Sequence, residues 1–229
     1  MSPIHLTFLA ITILAPIVLS LTSRRLKSQR FDRIVERTIA VLLVAAAMWE
    51  YFYKAVIERQ PFGGILPMHL CDWALFITAA ALWWQSIRCF EVAYFWGLAG
   101  TIQGLLTPAI DATLPTWRHL TFFTVHSGIV VGVLFLVFAK RMRPVPASFP
   151  RVLLWSELFL VVALLVNHLT GQNYAFLSHP PVTPSLLDTF PTHPWLYVAT
   201  INAVALAAFA LLYLPWWIVD IRRRPEPAG

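Results

Sequence analysis

Three side chains that could do chemistry stand close together in "PMHLCDWA": His69, Cys71 and Asp72. A fourth, His126, lies in "TVHSG". A cysteine beside a histidine at a helix N-terminus can store a thiolate, because the imidazole and the helix dipole both favour the anion. Such a thiolate attacks carbonyl carbon and forms acyl-enzyme intermediates. His69 and Asp72 are three apart, so a helix beginning near Pro67 puts them on one face. Cys71 then points about 200° away from His69 around the axis. Its base is expected from another helix, and His126 fits, although His69 remains an alternative partner. A plain reading also stands, in which Cys71 is a small buried core residue.

These residues must be positioned by elements built for lipid. The chain has 229 residues, 59% of them hydrophobic and 12% charged, with a mean hydropathy of +0.69. A soluble domain carries about a quarter charged residues. Apolar runs cover about 3–21, 36–56, 67–84, 88–107, 119–139, 151–169 and 194–219, each long enough to read as a span. Backbone groups in hydrocarbon must bond within their own segment, so the runs are expected to be helices. The expected fold is all-α: one seven-helix transmembrane domain over residues 1–229, with no soluble domain and no internal repeat. The first run lacks a preceding basic region and reads as a span, not a cleaved leader.

The net charge is +6. Its distribution argues against nucleic acid as a partner. Arg24, Arg25, Lys27, Arg30, Arg33, Arg37, Arg88, Lys140, Arg141, Arg143, Arg151, Arg222, Arg223 and Arg224 all fall in or beside connections on one side. Only Lys54, Arg59 and Arg118 fall on the other. The asymmetry places the N-terminus outside and the C-terminus in the cytoplasm. The same basic loops also suit anionic lipid headgroups.

That topology assigns depth. His69, Cys71, Asp72, His126, Glu50, Gln103, Asn167 and Asn202 come from six helices and share the outer half. Intramembrane polar groups are costly, and such a layer reads as a functional cavity, or else as hydrogen-bonded glue between helices. Glu91 and Glu157, in the inner half, are within reach of basic inner loops. The long outer connection 170–193 carries Asn173, Tyr174, Phe176 and Leu177 and reads as a lid over the cavity. Arg118, beside Trp117, is a candidate headgroup contact at the outer interface. Gly97, Gly100 and Gly104 share one side of the fourth helix, which is close-packing chemistry. Cys71 and Cys89 sit near opposite ends of a helical hairpin, about 27 Å apart along it, so no disulfide is expected.

Other chemistries fit less well. A retinal Schiff base needs a lysine in the last helix, and 194–219 has none. A zinc hydrolase of the seven-helix ceramidase type needs paired histidines there. A zinc site from His69, His126, His168 and a carboxylate is conceivable, but no close ligand pair supports it. No metal and no cofactor is expected. A transporter would show broken helices in two related halves.

The segments "LPMHLCDWA", "YFWGLAGTIQGLLTP", "PTWRHLTFFTVHSG", "GQNYAFL", "PSLLD" and "LYLPWW" resemble the YwaF-like bacterial integral membrane proteins, which belong with the eukaryotic transmembrane protein 164 family. The resemblance runs over about residues 45–219. It implies a seven-helix fold with an outer polar pocket, in the bacterial cytoplasmic membrane. It also implies a phospholipid acyltransferase working through a cysteine acyl-enzyme. The cysteine of "HLCDWA" is Cys71 and the histidine of "VHSG" is His126. The partner is then membrane phospholipid, and the supporting residues are His69, Asp72, Glu50, Gln103, Asn167, Asn202, Asn173 and Tyr174. A non-enzymatic lipid-binding or transport protein using the same pocket is the alternative. Acyl chain, headgroup and oligomeric state are not legible.

Overall fold

The computed structural model describes residues 3–108 and 116–222, with side chains from His5 onward. Arg223 and Arg224, at the end of the basic tail, lie outside the described residues. Seven α-helices occur, with no strand among the described residues. They are α1 (Pro3–Leu26), α2 (Gln29–Phe52), α3 (Leu70–Trp84), α4 (Ile87–Leu106), α5 (Trp117–Phe138), α6 (Ser148–Thr170) and α7 (Pro194–Arg222).

Local chemistry sets the boundaries. The Ser28 hydroxyl accepts from the Phe31 N–H at the start of α2, and Ser86 does the same for Cys89 in α4. Each satisfies a first-turn N–H that has no carbonyl partner within its helix. α3 stops at Gln85, which turns left-handed (φ 53°). Only Gln85 and Ser86 separate α3 from α4, so the two form a tight hairpin. α6 ends at Gly171, whose φ of +69° is the left-handed cap that glycine adopts without steric cost.

Five helices are long and apolar enough to cross a membrane: α1, α2 with its continuation to Ile57, α5, α6 and α7. The other two depart from the sequence expectation for different reasons. α3 has only 15 residues, because the chain around His69 stays extended (φ −79°, ψ 149°) and Pro67 lies outside the helix. At 1.5 Å per residue it is about 22 Å long, short of the roughly 30 Å hydrocarbon core. α4 has the length but carries Arg88, Glu91, Gln103 and three glycines. It tolerates them because it is the inner helix, with Phe90 to Leu98 buried throughout.

α4 packs against α3, α5, α6 and α7, while α1 lies against α5, and α2 against α3 and α5. Phe90, Phe95 and Trp96 of α4 are at most 1% exposed. The Trp96 indole N–H donates to Ser156 Oγ of α6 (2.8 Å), and the Tyr94 hydroxyl donates to the Leu212 carbonyl of α7 (3.0 Å). The exposed faces of the peripheral helices are apolar, as at Ile13, Leu14 and Val18 of α1 and Leu154, Val161 and Leu165 of α6. That is the inversion expected of helices solvated by lipid.

The basic end of the bundle is tied by ion pairs. Arg151 grips Glu91 with Nε and Nη2 on separate carboxylate oxygens. Lys140 reaches Asp32 at 3.1 Å and the buried Glu36 at 3.5 Å. Arg143 pairs with Asp220. Arg24 donates twice to the Phe138 carbonyl and so caps the C-terminus of α5. Glu91 thus meets a basic residue at the start of α6. Glu157 does not, and accepts from Asn202 instead.

Candidate functional site

α3 begins with a reciprocal cap. The His69 backbone N–H donates to Asp72 Oδ2 at 2.9 Å. Asp72 therefore holds the backbone of residue 69, not its ring as sequence spacing alone allowed. The Trp73 indole donates to the Pro67 carbonyl (2.9 Å) and folds the extended Pro67–His69 segment back on the helix. Cys71 falls in the first turn, partly buried. Both cysteines are free thiols.

Each histidine is fixed by a backbone group, and the two are fixed oppositely. His126 is 6% exposed, and its Nδ1 lies 2.8 Å from the Phe122 carbonyl. A carbonyl only accepts, so Nδ1 carries the proton and neutral His126 keeps its lone pair on Nε2. The ring stacks on Phe122 at 3.9 Å. It also fills the space beside Gly104, where a Cβ would lie 2.9–3.0 Å from Cδ2 and Nε2. His69 Nδ1 instead accepts from the Ala175 N–H at 3.3 Å, so neutral His69 carries its proton on Nε2. His126 presents an acceptor and His69 a donor.

One face of α4 joins the two. Gly104 adjoins His126, and Gly100, one turn away, has the Leu70 side chain 3.1 Å from where its Cβ would be. Those glycines let α5 and the first turn of α3 approach the same stretch of backbone. Cys71 makes no hydrogen bond to His126 or His69 among the described residues.

His69 is held from the loop side. Asn167 is 6% exposed and spends both amide functions on Tyr174, donating to its carbonyl (3.0 Å) and accepting from its N–H (2.7 Å). The Tyr174 hydroxyl donates to the Gly63 carbonyl at 2.6 Å. Burial raises this phenol above its ordinary range, which keeps it a neutral donor. Ala175 and Phe176 both take φ near 54°, a conformation that costs about 1–2 kcal/mol for a residue other than glycine. The Asn167 clamp holds that strained turn, and the turn aims the Ala175 N–H at His69.

Above His69 lies a cavity of about 330 Å³ lined by Lys54, Gln60, Gly64, His69, Gln172, Asn173, Tyr174, Phe176, His179, Pro181 and Val182. Asn173 shapes its wall by donating to the His179 carbonyl (2.8 Å) and accepting from the Ser178 N–H (2.9 Å).

Other expected site residues lie elsewhere. Gln103 is exposed and bonds only within its own turn, to Thr107 Oγ1 at 2.9 Å. Asn202 is bound to Glu157 between α6 and α7. Arg118 is paired with Glu58 at 2.6 Å, so its charge is already matched. Glu50 pairs with Lys54 at 3.2 Å. Sequence reasoning missed two residues. Tyr51 is partly buried, with its hydroxyl beside the Asp72 carboxylate. Lys54 lines the cavity above His69 and pairs with Glu50 at 3.2 Å. It sits in a π-helical turn, Tyr53–Ile57, that extends α2; such turns recur at functional sites. The signal was their spacing from Glu50, itself an expected site residue, at i+1 and i+4; Lys54 entered the sequence reading only as a topology charge.

Residues 1–213 match the TMEM164 family, a span that takes in all of these residues. The chain belongs to the TMEM164 family. No curated protein and no solved structure matches it. Family membership and the five long apolar helices together make this TMEM164-family chain an integral membrane protein.

Proposed function

We propose that this TMEM164-family protein is a phospholipid acyltransferase in which Cys71 carries the acyl group and His126 moves the proton. The observation that carries the reading is the His126 ring. Its Nδ1–H is committed to the Phe122 carbonyl, so Nε2 is the lone-pair nitrogen, buried and fixed beside Gly104. A base must present a lone pair, and His69, whose Nδ1 already accepts from Ala175, presents a proton instead.

In the first half-reaction the Cys71 thiol gives its proton to His126 Nε2, and Sγ attacks the ester carbonyl carbon of a phospholipid. The oxyanion is met by the first-turn N–H groups of Leu70 and Cys71, which have no carbonyl partner within α3. Asn167, Gln103 and Asn202 do not serve as donors, because the first is spent on Tyr174 and the other two bond to Thr107 and Glu157. The C–O bond breaks, the departing lyso-lipid oxygen takes the proton from His126, and a thioester remains. In the second half, a lyso-lipid hydroxyl gives its proton to His126 and attacks the thioester. The C–S bond breaks and the thiolate recovers the proton.

The reading requires the thiol to reach the imidazole in the substrate complex, where catalytic bonds often tighten. The reading places all seven helices across a bacterial cytoplasmic membrane. The N-terminus is outside and the basic, ion-paired end in the cytoplasm. The short α3 is sunk within the bundle and opens toward the outer leaflet.

The test is acyl exchange between a labelled phospholipid and an unlabelled lyso-lipid, with full-length protein in vesicles. Cys71→Ala and His126→Gln are each expected to lower the rate by at least about 100-fold. His69→Gln, which keeps a side-chain donor, is expected to lower it less. Exchange that survives Cys71→Ala would contradict the acyl-enzyme.

A further inference from the structure

We infer that the cavity above His69 is a binding site for the phosphate group of a phospholipid headgroup, with Lys54 as its cation. The proposal rests on the acyltransfer reading for its place in a reaction, but stands on its own geometry. The cavity holds about 330 Å³. That is the low end of small-ligand sites, sized for a headgroup and not for an acyl chain.

Its polar lining is Lys54, His69, Gln60, Gln172, Asn173 and His179. A lysine, two histidines and three amides lie there without a carboxylate, which is the chemistry of an anion site. Lys54 is ion-paired with Glu50 at 3.2 Å, and its ammonium has three N–H donors. Gln60 donates to Glu58 at 2.6 Å outside the lining. His69 adds its Nε2–H, because Nδ1 is taken by Ala175.

The position matters as much as the charge. Lys54 and His69 line the same cavity, and His69 is the N-cap of α3, so the cavity adjoins the first turn that carries Cys71. In a glycerophospholipid the phosphate and the acyl ester are separated by the short glycerol backbone. A phosphate held at Lys54 therefore places an ester carbonyl at the first turn of α3. The same tether would hold the lyso-lipid acceptor for the second half-reaction, which raises its effective concentration at the thioester.

The experiment measures binding to full-length protein in neutral-detergent micelles, with three probes: a monoacyl glycerophospholipid, the monoacylglycerol of the same chain, and inorganic phosphate. The phospholipid is expected to bind at least about tenfold more tightly than the monoacylglycerol, the effect of one charge-assisted contact set. Lys54→Gln should erase that preference and Lys54→Arg should keep it. Val182 is fully exposed at the rim, so Val182→Glu adds a carboxylate without disturbing packing, and should also weaken phospholipid binding.

Phosphate alone should bind more weakly than the phospholipid and compete with it. Phosphate binding tighter than the phospholipid would assign the site to free phosphate and overturn the headgroup reading. Equal binding of the two lipids, or a preference untouched by both Lys54→Gln and Val182→Glu, would overturn the site itself. The measurement is repeated in Cys71→Ala. Phosphate preference there, without acyl transfer by the wild type, would sink the acyltransferase reading alone. Acyl transfer without phosphate preference would sink this one alone.

Discussion

A single carbonyl decides which histidine can be a base. Phe122 O takes the proton-bearing Nδ1 of His126, and the Ala175 N–H takes the lone pair of His69. Sequence spacing offers both rings to Cys71; only the backbone partners separate them. Gly104 is the residue that gives His126 room. Gly104→Ala puts a methyl within 3.0 Å of the ring, against an imidazole already stacked on Phe122 and bonded to its carbonyl. Misplacing a catalytic group by about 1 Å can cost as much as 100-fold. The expected result is at least about tenfold slower acyl exchange with helical content unchanged by circular dichroism. Unchanged exchange would show that the imidazole does not need this position.

At the scale of elements, the loop after α6 is built around Asn167. Asn167→Ala removes two buried hydrogen bonds to Tyr174 and releases a strained turn at Ala175 and Phe176. Bonds of this kind contribute about 1 kcal/mol each, so hydrogen exchange over residues 172–177 should speed up by about tenfold or more. Protection unchanged from wild type would mean that the loop is held by something else. At the basic end, Arg151→Ala strands the Glu91 carboxylate, 2% exposed, without its bidentate partner. Arg151 itself is about a third exposed, so the cost is set at about 2–3 kcal/mol, below that of a fully buried pair. The melting temperature in detergent should fall by several degrees; an unchanged one would mean that water replaces the arginine at no cost.

For the whole molecule, the apolar runs made the helices legible. Azimuth was not. A helix that is apolar all round has no stripe to say which side faces its neighbours. Gln103 and Asn202 were therefore expected at the cavity but bond elsewhere, to Thr107 and to Glu157. Tyr51 and Lys54 were missed for the same reason. The short α3 is read too long because Pro67 suits a first helical turn; the extended backbone at His69 becomes visible only with the cap from Asp72. Orientation can be checked from surface positions. Val182→Cys, beside the cavity, should react with a membrane-impermeant maleimide in intact spheroplasts. Val145→Cys, in the α5–α6 connection, should react only after permeabilisation. Both residues are exposed. The opposite pattern would invert the topology.

The most direct test of the central claim is the intact mass of the protein after incubation with a diacyl phospholipid of known chains. The account expects a gain equal to one acyl group minus a hydrogen. That gain should map to the peptide holding Cys71, be released by neutral hydroxylamine, be absent from Cys71→Ala, and disappear when lyso-lipid is added. A protein that exchanges acyl chains while its mass stays unmodified, or whose adduct maps to a residue other than Cys71, would contradict it.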